Sequence, residues 1–383
     1  MKIQGANASS QPVFLPMASP QACALADTDV PLRAPSLDQS FVTGGVDTPA
    51  GKVPQVSSLL TGHDRRGSIK ARWGVGRMHY TVDPGLYALG APDAGSPVVV
   101  TANYKMSFDR LREALPGRNL WILVLDTDGI NVWCAAGKGT FGTGELIRRI
   151  KASGLADCVR HRDLILPQLG APGVSAHLVR KLSGFKVHYG PILARDLPAY
   201  LDAGMKATPG MRRKTFTLRE RSVLIPIELV AAMKPGAVMI PVLLLISALG
   251  GEGSFLKNMI HDGIFSLSAF LLAIVSGAVL SPLLLPFLPG RAFATKGFSI
   301  GLATAILFLY ASGLDLESWR DILLGGAWLL MIPAFSAFLA MNFTGASTYT
   351  SLSGVRREMR WALPMEIGAG ISGFAVLLIS RWF

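Results

Sequence analysis

After residue 221 the chain becomes a succession of long apolar stretches that no compact water-soluble fold can bury. One lies within 222–250, interrupted by Lys234 and Pro235; the others are roughly 263–289, 297–313, 322–344 and 361–380. A membrane-crossing helix needs about 20 apolar residues, and two of these stretches are short for that. The expectation is an all-α transmembrane domain of about five helices over 222–383. A four-span version would lay 222–234 flat on the interface.

Charge divides the chain at the same place. Residues 1–220 carry 27 Lys/Arg and 17 Asp/Glu, whereas residues 221–383 carry only 10 and 8. The first part is therefore basic. No basic-aromatic stripe or nucleic-acid motif accompanies that charge. A lipid bilayer surface explains it, and no nucleic acid is expected. Arg212, Arg213, Lys214, Arg219 and Arg221 precede the first span. Arg291 and Lys296 lie between the second and third, and Arg356, Arg357 and Arg360 between the fourth and fifth. The opposite loops and tail offer Lys257, Arg320 and Arg381. This bias places the first part in the cytoplasm and the C-terminus outside, in a multi-pass protein of a cytoplasmic membrane. Glu228 and Glu366 fall near the inner face, where they read as snorkelling or capping groups. No row of ionisable groups crosses the spans, which argues against a transporter or proton pump.

Residues 1–64 are rich in Pro, Ser, Thr, Gly and Ala, and read as a flexible leader. Pro12, Pro16 and Pro20 interrupt its start, so a signal peptide is not expected. Over 65–215 strand-like and helix-like segments alternate. "RMHYTV" and "PVVVTANY" read as strands, and "LWILVLD" as a strand buried on both faces. "SFDRLREAL" reads as a helix capped by Ser107. "INVW" leads into a glycine turn, and "GELIRRIKAS" is the helix behind it. "DLILPQL", "AHLVRKLSG", "KVHYG" and "RDLPAYLDAG" continue the alternation. The fold class is α/β, a doubly wound Rossmann-like domain. Ligands in such sheets sit outside the carboxyl ends of the strands. Thr101 and Asn103 end a strand at that edge, which makes them candidates for ligand binding or for a loop hydrogen bond.

The stretch "GINVWCAAGKGTFGTGE" (129–145) occupies such a place. The three cysteines, Cys23, Cys134 and Cys158, make no CxxC pair and no zinc spacing. Four readings of Cys134 are open. Gly137, Gly139 and Gly142 spell GxGxxG, with Asp157 about twenty residues on, as in a dinucleotide site. A Walker loop fails, because Gly139 follows Lys138 where Ser or Thr belongs. Near a helix N-terminus, free amides favour a thiolate, Lys138 adds to this, and His161, His177 or His188 are possible bases for a nucleophile. A lone thiolate cannot hold zinc, but it can cap a metal whose other ligands come from a macrocycle. Ala135, Ala136, Gly137 and Gly139 would then let backbone approach a flat cofactor, with Trp133 against its edge. Finally, Cys134 can be a small buried hydrophobe.

The motif "NVWCAAGK" (131–138) resembles the signature of the membrane corrinoid proteins of microbial mercury methylation. The soluble part is similar to the corrinoid-binding domain of the corrinoid iron–sulfur protein of acetyl-CoA synthesis. "GLYALG" (85–90), "SPVVVTANYK" (96–105), "DTDGINVWCAAGKGTFGT" (126–143), "LPQLGAPGV" (166–174) and "YGPILARDLPAYL" (189–201) carry the likeness, which covers roughly 65–383. The resemblance implies a cobalamin-type corrinoid whose cobalt takes Cys134 as lower axial ligand. It implies cofactor-binding roles for Asn131, Val132, Trp133, Ala135, Ala136, Gly137, Lys138, Gly139 and Thr140, though Asn131 also suits a turn cap. The activity implied is corrinoid-dependent methyl transfer from methyl-cobalt(III) to Hg(II), giving methylmercury. A small iron–sulfur ferredoxin as electron donor, and a methyl-folate or methyl-donor methyltransferase upstream, are the implied partners. A corrinoid methyl carrier with another acceptor, a membrane-bound NAD(P) oxidoreductase and a non-enzymatic membrane protein are the alternatives.

Overall fold

The computed structural model describes residues 34–249, 253–343 and 352–382. The start of the expected leader, with Cys23, lies outside the described residues. The chain forms two units, Met1–Thr61 with Thr81–Arg212, and Gly62–Tyr80 with Arg213–Phe383.

The first unit is built on a sheet of β1 (Val42–Thr48), β2 (Gly51–Val56), β3 (Gly85–Leu89), β4 (Val98–Ala102), β5 (Leu120–Leu125), β6 (Asp163–Leu166) and β7 (Lys186–Tyr189). The spatial order is β1-β2-β3-β5-β4-β6-β7. Strands β5, β4, β6 and β7 run parallel, and β3 joins β5 antiparallel. Helix α1 (Gly62–Arg72) follows β2 but belongs to the second unit. Helices α2 (Lys105–Glu113), α3 (Val132–Lys138), α4 (Thr143–Ala152), α5 (Leu155–Cys158), α6 (Ala176–Ser183) and α7 (Leu197–Asp202) complete the first unit.

Every residue of β3, β4 and β5 is buried, as apolar strands covered on both faces must be. Strand alternation divides their side chains between two cores. Val98, Val100, Leu123 and Leu125 meet Leu146, Ile147 and Ile150 of α4. Val99, Ile122 and Val124 meet Phe108 and Leu111 of α2 and Leu197 and Tyr200 of α7. Helices thus cover both faces. The chain steps from β5 past β4 to β6, so the strand order reverses between β4 and β6. That is where such sheets open a crevice at their carboxyl ends.

Three local expectations need correcting. The hairpin β1–β2 stands at residues 42–56, inside the expected leader, and β2 adds parallel to β3. "RMHYTV" is not a strand. Gly76, left-handed at φ 62°, turns the chain into a short 3-10 turn at Arg77–His79, leaving one bridge between Thr81 and Tyr104. Ser107 lies inside α2, whose first flanking residue is Tyr104.

The second unit contains α1, α8 (Leu218–Ser222), α9 (Ile225–Ala248), α10 (Phe255–Val275), α11 (Ser281–Leu284), α12 (Phe293–Ser312), α13 (Trp319–Asn342) and α14 (Leu352–Ile379). Five stretches among the described residues are long and apolar enough to cross a membrane by length and composition: Leu218–Ala248, Phe255–Leu284, Phe293–Ser312, Trp319–Asn342 and Gly354–Ile379. Helix α9 continues through Lys234 and Pro235, so no separate flat helix ends there. Small residues let the backbones of these helices approach closely. A Cβ on Gly297 would lie 2.7 Å from Ala337 Cα, and one on Gly301 would lie 2.8 Å from Pro333 Cα. Ser336 Oγ donates to the Gly297 carbonyl across the same contact, at 2.8 Å. Charges buried here are mostly paired. Lys296 Nζ donates to the carbonyls of Leu285 and Leu288, Glu358 accepts from the Ala294 amide, and Asp262 binds Arg320 and Arg381. Both carboxylate oxygens of Glu366 are buried with no partner among the described residues, so Glu366 does not cap a helix there.

Candidate functional site

The site begins where β5 ends. Asp128 and Gly129 follow at φ 55° and 70°, two successive left-handed residues that reverse the chain. The buried Asn103, just past β4, holds this reversal. Its Oδ1 accepts from the amides of Thr127 and Gly129, each at 3.1 Å, and its Nδ2 donates to Asp126 at 3.1 Å. Thr127 Oγ1 lies 2.8 Å from the same Oδ1 and 2.7 Å from the Ile130 carbonyl, and one proton serves both. The Asp126 amide donates to Glu145, itself paired with Arg149 at 2.8 Å. Asn103 therefore makes the loop hydrogen bonds expected for one of its two candidate roles. Thr101 shares the strand face of Val99, toward α2 and α7 and away from α3, because side chains alternate along β4.

The chain then enters α3. Asn131 Oδ1 accepts the Cys134 amide at 3.0 Å, making Asn131 the N-cap. Val132 and Trp133 are therefore helical and not the end of a strand. The Asp-Gly reversal stops the sheet at Leu125, and the cap starts a helix instead. Gly139, left-handed at φ 88°, ends it.

Helical spacing sorts the motif into two faces. Trp133, Cys134, Gly137 and Lys138 are exposed, whereas Ala135 and Ala136 are buried against the core and Val132 packs beside them. The two alanines seat the helix on the sheet, with their side chains turned from the exposed face that carries Cys134. A Cβ on Gly137 or Gly139 would meet nothing within 4 Å, so the ground beside Cys134 is open. Thr140 Oγ1 is buried without a partner among the described residues.

A second loop, absent from the sequence-based candidates, supports α3 from the end of β6. A Cβ on Gly173 would overlap the Phe141 carbonyl and lie 3.1 Å from Ala136 Cα. A Cβ on Gly170 would run into the Phe141 ring. The Ser175 amide donates to Thr143 Oγ1 at 2.8 Å, and Tyr189 Oη donates to the Val174 carbonyl at 2.6 Å. Burial pushes the Tyr189 phenol up from its ordinary pKa, so it stays a donor. The signal was the pair of glycines in "LPQLGAPGV", which marks close backbone approach.

This geometry removes the dinucleotide arrangement. Gly137 lies within α3, Gly142 flanks α4, and residues 126–131 separate both from β5. Gly137, Gly139 and Gly142 therefore do not form the turn between a strand and a helix, and Asp157 sits on α5 rather than at a strand end. A cysteine–histidine pair is not assembled either. His161 contacts the Ser96 carbonyl, His177 contacts Ser175 Oγ, and His188 contacts Asp163. Cys134 is exposed, not a small buried hydrophobe; Cys158 is the buried one. Among the described residues no group of three or more His, Cys, Asp or Glu converges. A metal reaching Cys134 would have to bring its other ligands with it.

The fold and this edge define a doubly wound α/β domain with one exposed thiol on a short, firmly seated helix. Residues 76–200 match the family described as CO dehydrogenase/acetyl-CoA synthase delta subunit. Over 124 residues the chain is 34% identical to the acetyl-CoA decarbonylase/synthase complex subunit gamma of Methanopyrus kandleri, covering 32% of this chain and 26% of that protein. The subunit gamma of Methanocaldococcus jannaschii is 37% identical over 97 residues, 25% of this chain and 20% of that protein. That of Methanothermobacter thermautotrophicus is 31% identical over 128 residues, 33% and 28%. The chain spans about a quarter of the length of the relatives it matches. The shared part is a domain homologous to these subunits, and it contains β3 to β7 and α3.

Proposed function

We propose that this protein is a membrane-held corrinoid protein that transfers methyl groups, with Cys134 Sγ as the lower axial ligand of cobalt and Hg(II) as the acceptor. The observation that carries the cofactor is the exposed Cys134 on a helix seated at the carboxyl edge of the sheet, beside the open ground at Gly137 and Gly139. The homology over 76–200 to acetyl-CoA synthase subunits supports a corrinoid methyl-carrier role. A lone thiol without converging protein ligands suits a metal already held by a macrocycle.

When bound, the corrinoid supplies a methyl group that it takes from a donor and releases to an acceptor. The chain's part is to hold and to bias. Asn131 fixes the Cys134 amide, and with it the start of α3. Asn103 holds the loop that leads into that helix and the Gly173 loop packs against the helix itself, which would keep the sulfur in place. Cys134 would hold the corrinoid's metal through an electron-rich thiolate, which would favour handing the methyl group to a soft cation. Trp133, Gly137 and Lys138 share the exposed face and would border the ring. A small iron–sulfur ferredoxin would return the cobalt to its reduced state, and a methyl-folate or its methyltransferase would supply the group. The five apolar helices would anchor the protein in a cytoplasmic membrane, with the α/β unit inside and the C-terminus outside, a topology that the Lys/Arg bias supports.

The test is a visible spectrum of the purified protein together with a methylmercury assay. A corrinoid absorbs in the visible range and should change colour when Cys134→Ala removes the ligand. A colourless protein, or a variant with an unchanged cobalt spectrum and unchanged methylmercury formation, defeats the proposal. A second reading, a corrinoid carrier with another acceptor, is favoured by the acetyl-CoA complex relatives. It keeps the spectrum and yields no methylmercury.

A further inference from the structure

We propose that residues 62–80 lie in the plane of the cytoplasmic membrane surface and bind its anionic phospholipid headgroups. This rests on the membrane reading above and adds a lipid-binding element to it.

Helix α1 is short and its exposed side is unusual. Asp64 and Ala71 are buried on one face. The opposite face, by helical spacing, carries Arg65, Arg66, Ile69, Lys70 and then Trp73. Apolar and basic residues are interleaved there. Ile69 is 58% exposed and Trp73 47%. Val75 and Met78, in the turns that follow, are 61% and 60% exposed. Four large apolar side chains so close together are costly to leave in water.

Two observations decide what covers them. The first is charge: Arg65, Arg66, Lys70, Arg72 and Arg77 fall within 62–80, against one acid, the buried Asp64. Aromatic and aliphatic groups among cations fit an anionic lipid interface, where rings sit at headgroup level and cations meet phosphates. The second is continuity with the spans. This segment belongs to the same unit as the apolar helices. A Cβ on Gly74 would lie 3.0 Å from Ile227 Cδ1 and 3.7 Å from Val230 Cγ1, both in the first turns of α9. Tyr80 folds back to fix the segment, its ring against Gly67 and its hydroxyl donating to the Asp64 carbonyl at 3.1 Å. The exposed apolar face is therefore tied to the end of the first span, the one bearing the basic cluster.

Trp73 provides the probe. The full-length protein is reconstituted in equimolar phosphatidylglycerol–phosphatidylcholine vesicles, with lipids brominated near the headgroup end of their chains or unbrominated. The emission difference between wild type and Trp73→Phe should fall about twofold in the brominated vesicles, as for a ring buried at the interface. A variant with Arg65→Gln, Arg66→Gln and Lys70→Gln changes only exposed side chains and should lose most of that quenching. Equal Trp73 emission in both vesicles, with the protein still floating with lipid, overturns this inference alone. Failure to float with lipid overturns the membrane reading as well.

Discussion

The loop from Asp126 to Asn131 and the helix that follows it treat polar groups in opposite ways. In the loop, Asn103 Oδ1 alone serves Thr127 and Gly129, and Asp126 is tied through Glu145 to Arg149. On the outer face of α3, Trp133, Cys134 and Lys138 stand exposed. Rigidity is concentrated one step behind the thiol. The cobalt ligation proposed above would draw on this division: a braced loop behind the thiol and an open face in front of it.

Substitutions on the two sides should therefore fail differently. The largest effect falls on activity. Cys134→Ala should lower methyl transfer by more than about 100-fold, beyond the loss typical of an outer-shell metal partner, while the melting temperature hardly moves, because the side chain is exposed. A matching fall in melting temperature would break the comparison. Next comes the pedestal. Asn103→Ala strands buried donors in the loop and should cost about 2–4 kcal/mol in denaturant unfolding of the first unit. Little change there would mean that the loop does not depend on Asn103. Gly173→Ala pushes a methyl group into the Phe141 carbonyl and should cost about 1–3 kcal/mol. It should also weaken corrinoid retention in a spin-column assay, since α3 must shift. The smallest effect is that of Asn131→Ala, which removes one cap bond and should cost about 1 kcal/mol. Asn131→Asp, which keeps an acceptor, should recover most of it.

The sequence made the strands easy and α3 hard. "LWILVLD" is apolar up to Asp126 and "PVVVTANY" opens on three consecutive valines after its proline, runs that suit burial on both faces, and β5 and β4 lie within them. The five apolar stretches likewise announce themselves by length. "INVW" misleads, because two β-branched residues and a tryptophan look like a strand end. The controlling signals were the Asp128-Gly129 pair, which reverses the chain, and Asn131, which caps. Ala135 and Ala136 could be placed on the inner face only once the helix was known. The β1–β2 hairpin was hidden for another reason. With Gly44, Gly45, Gly51 and Pro54 it carries little apolar alternation, and pairing with β3 supplies what its own residues lack. The bracing by Gly170 and Gly173 is a tertiary contact between loops distant in the chain, beyond the reach of local pattern.

The most direct test is cobalt K-edge absorption of the purified, corrinoid-loaded protein. The account predicts one sulfur neighbour on cobalt in the wild type, lost in Cys134→Ala and replaced there by nitrogen or oxygen. Identical nitrogen-and-oxygen environments in both proteins, with the corrinoid bound, would contradict it.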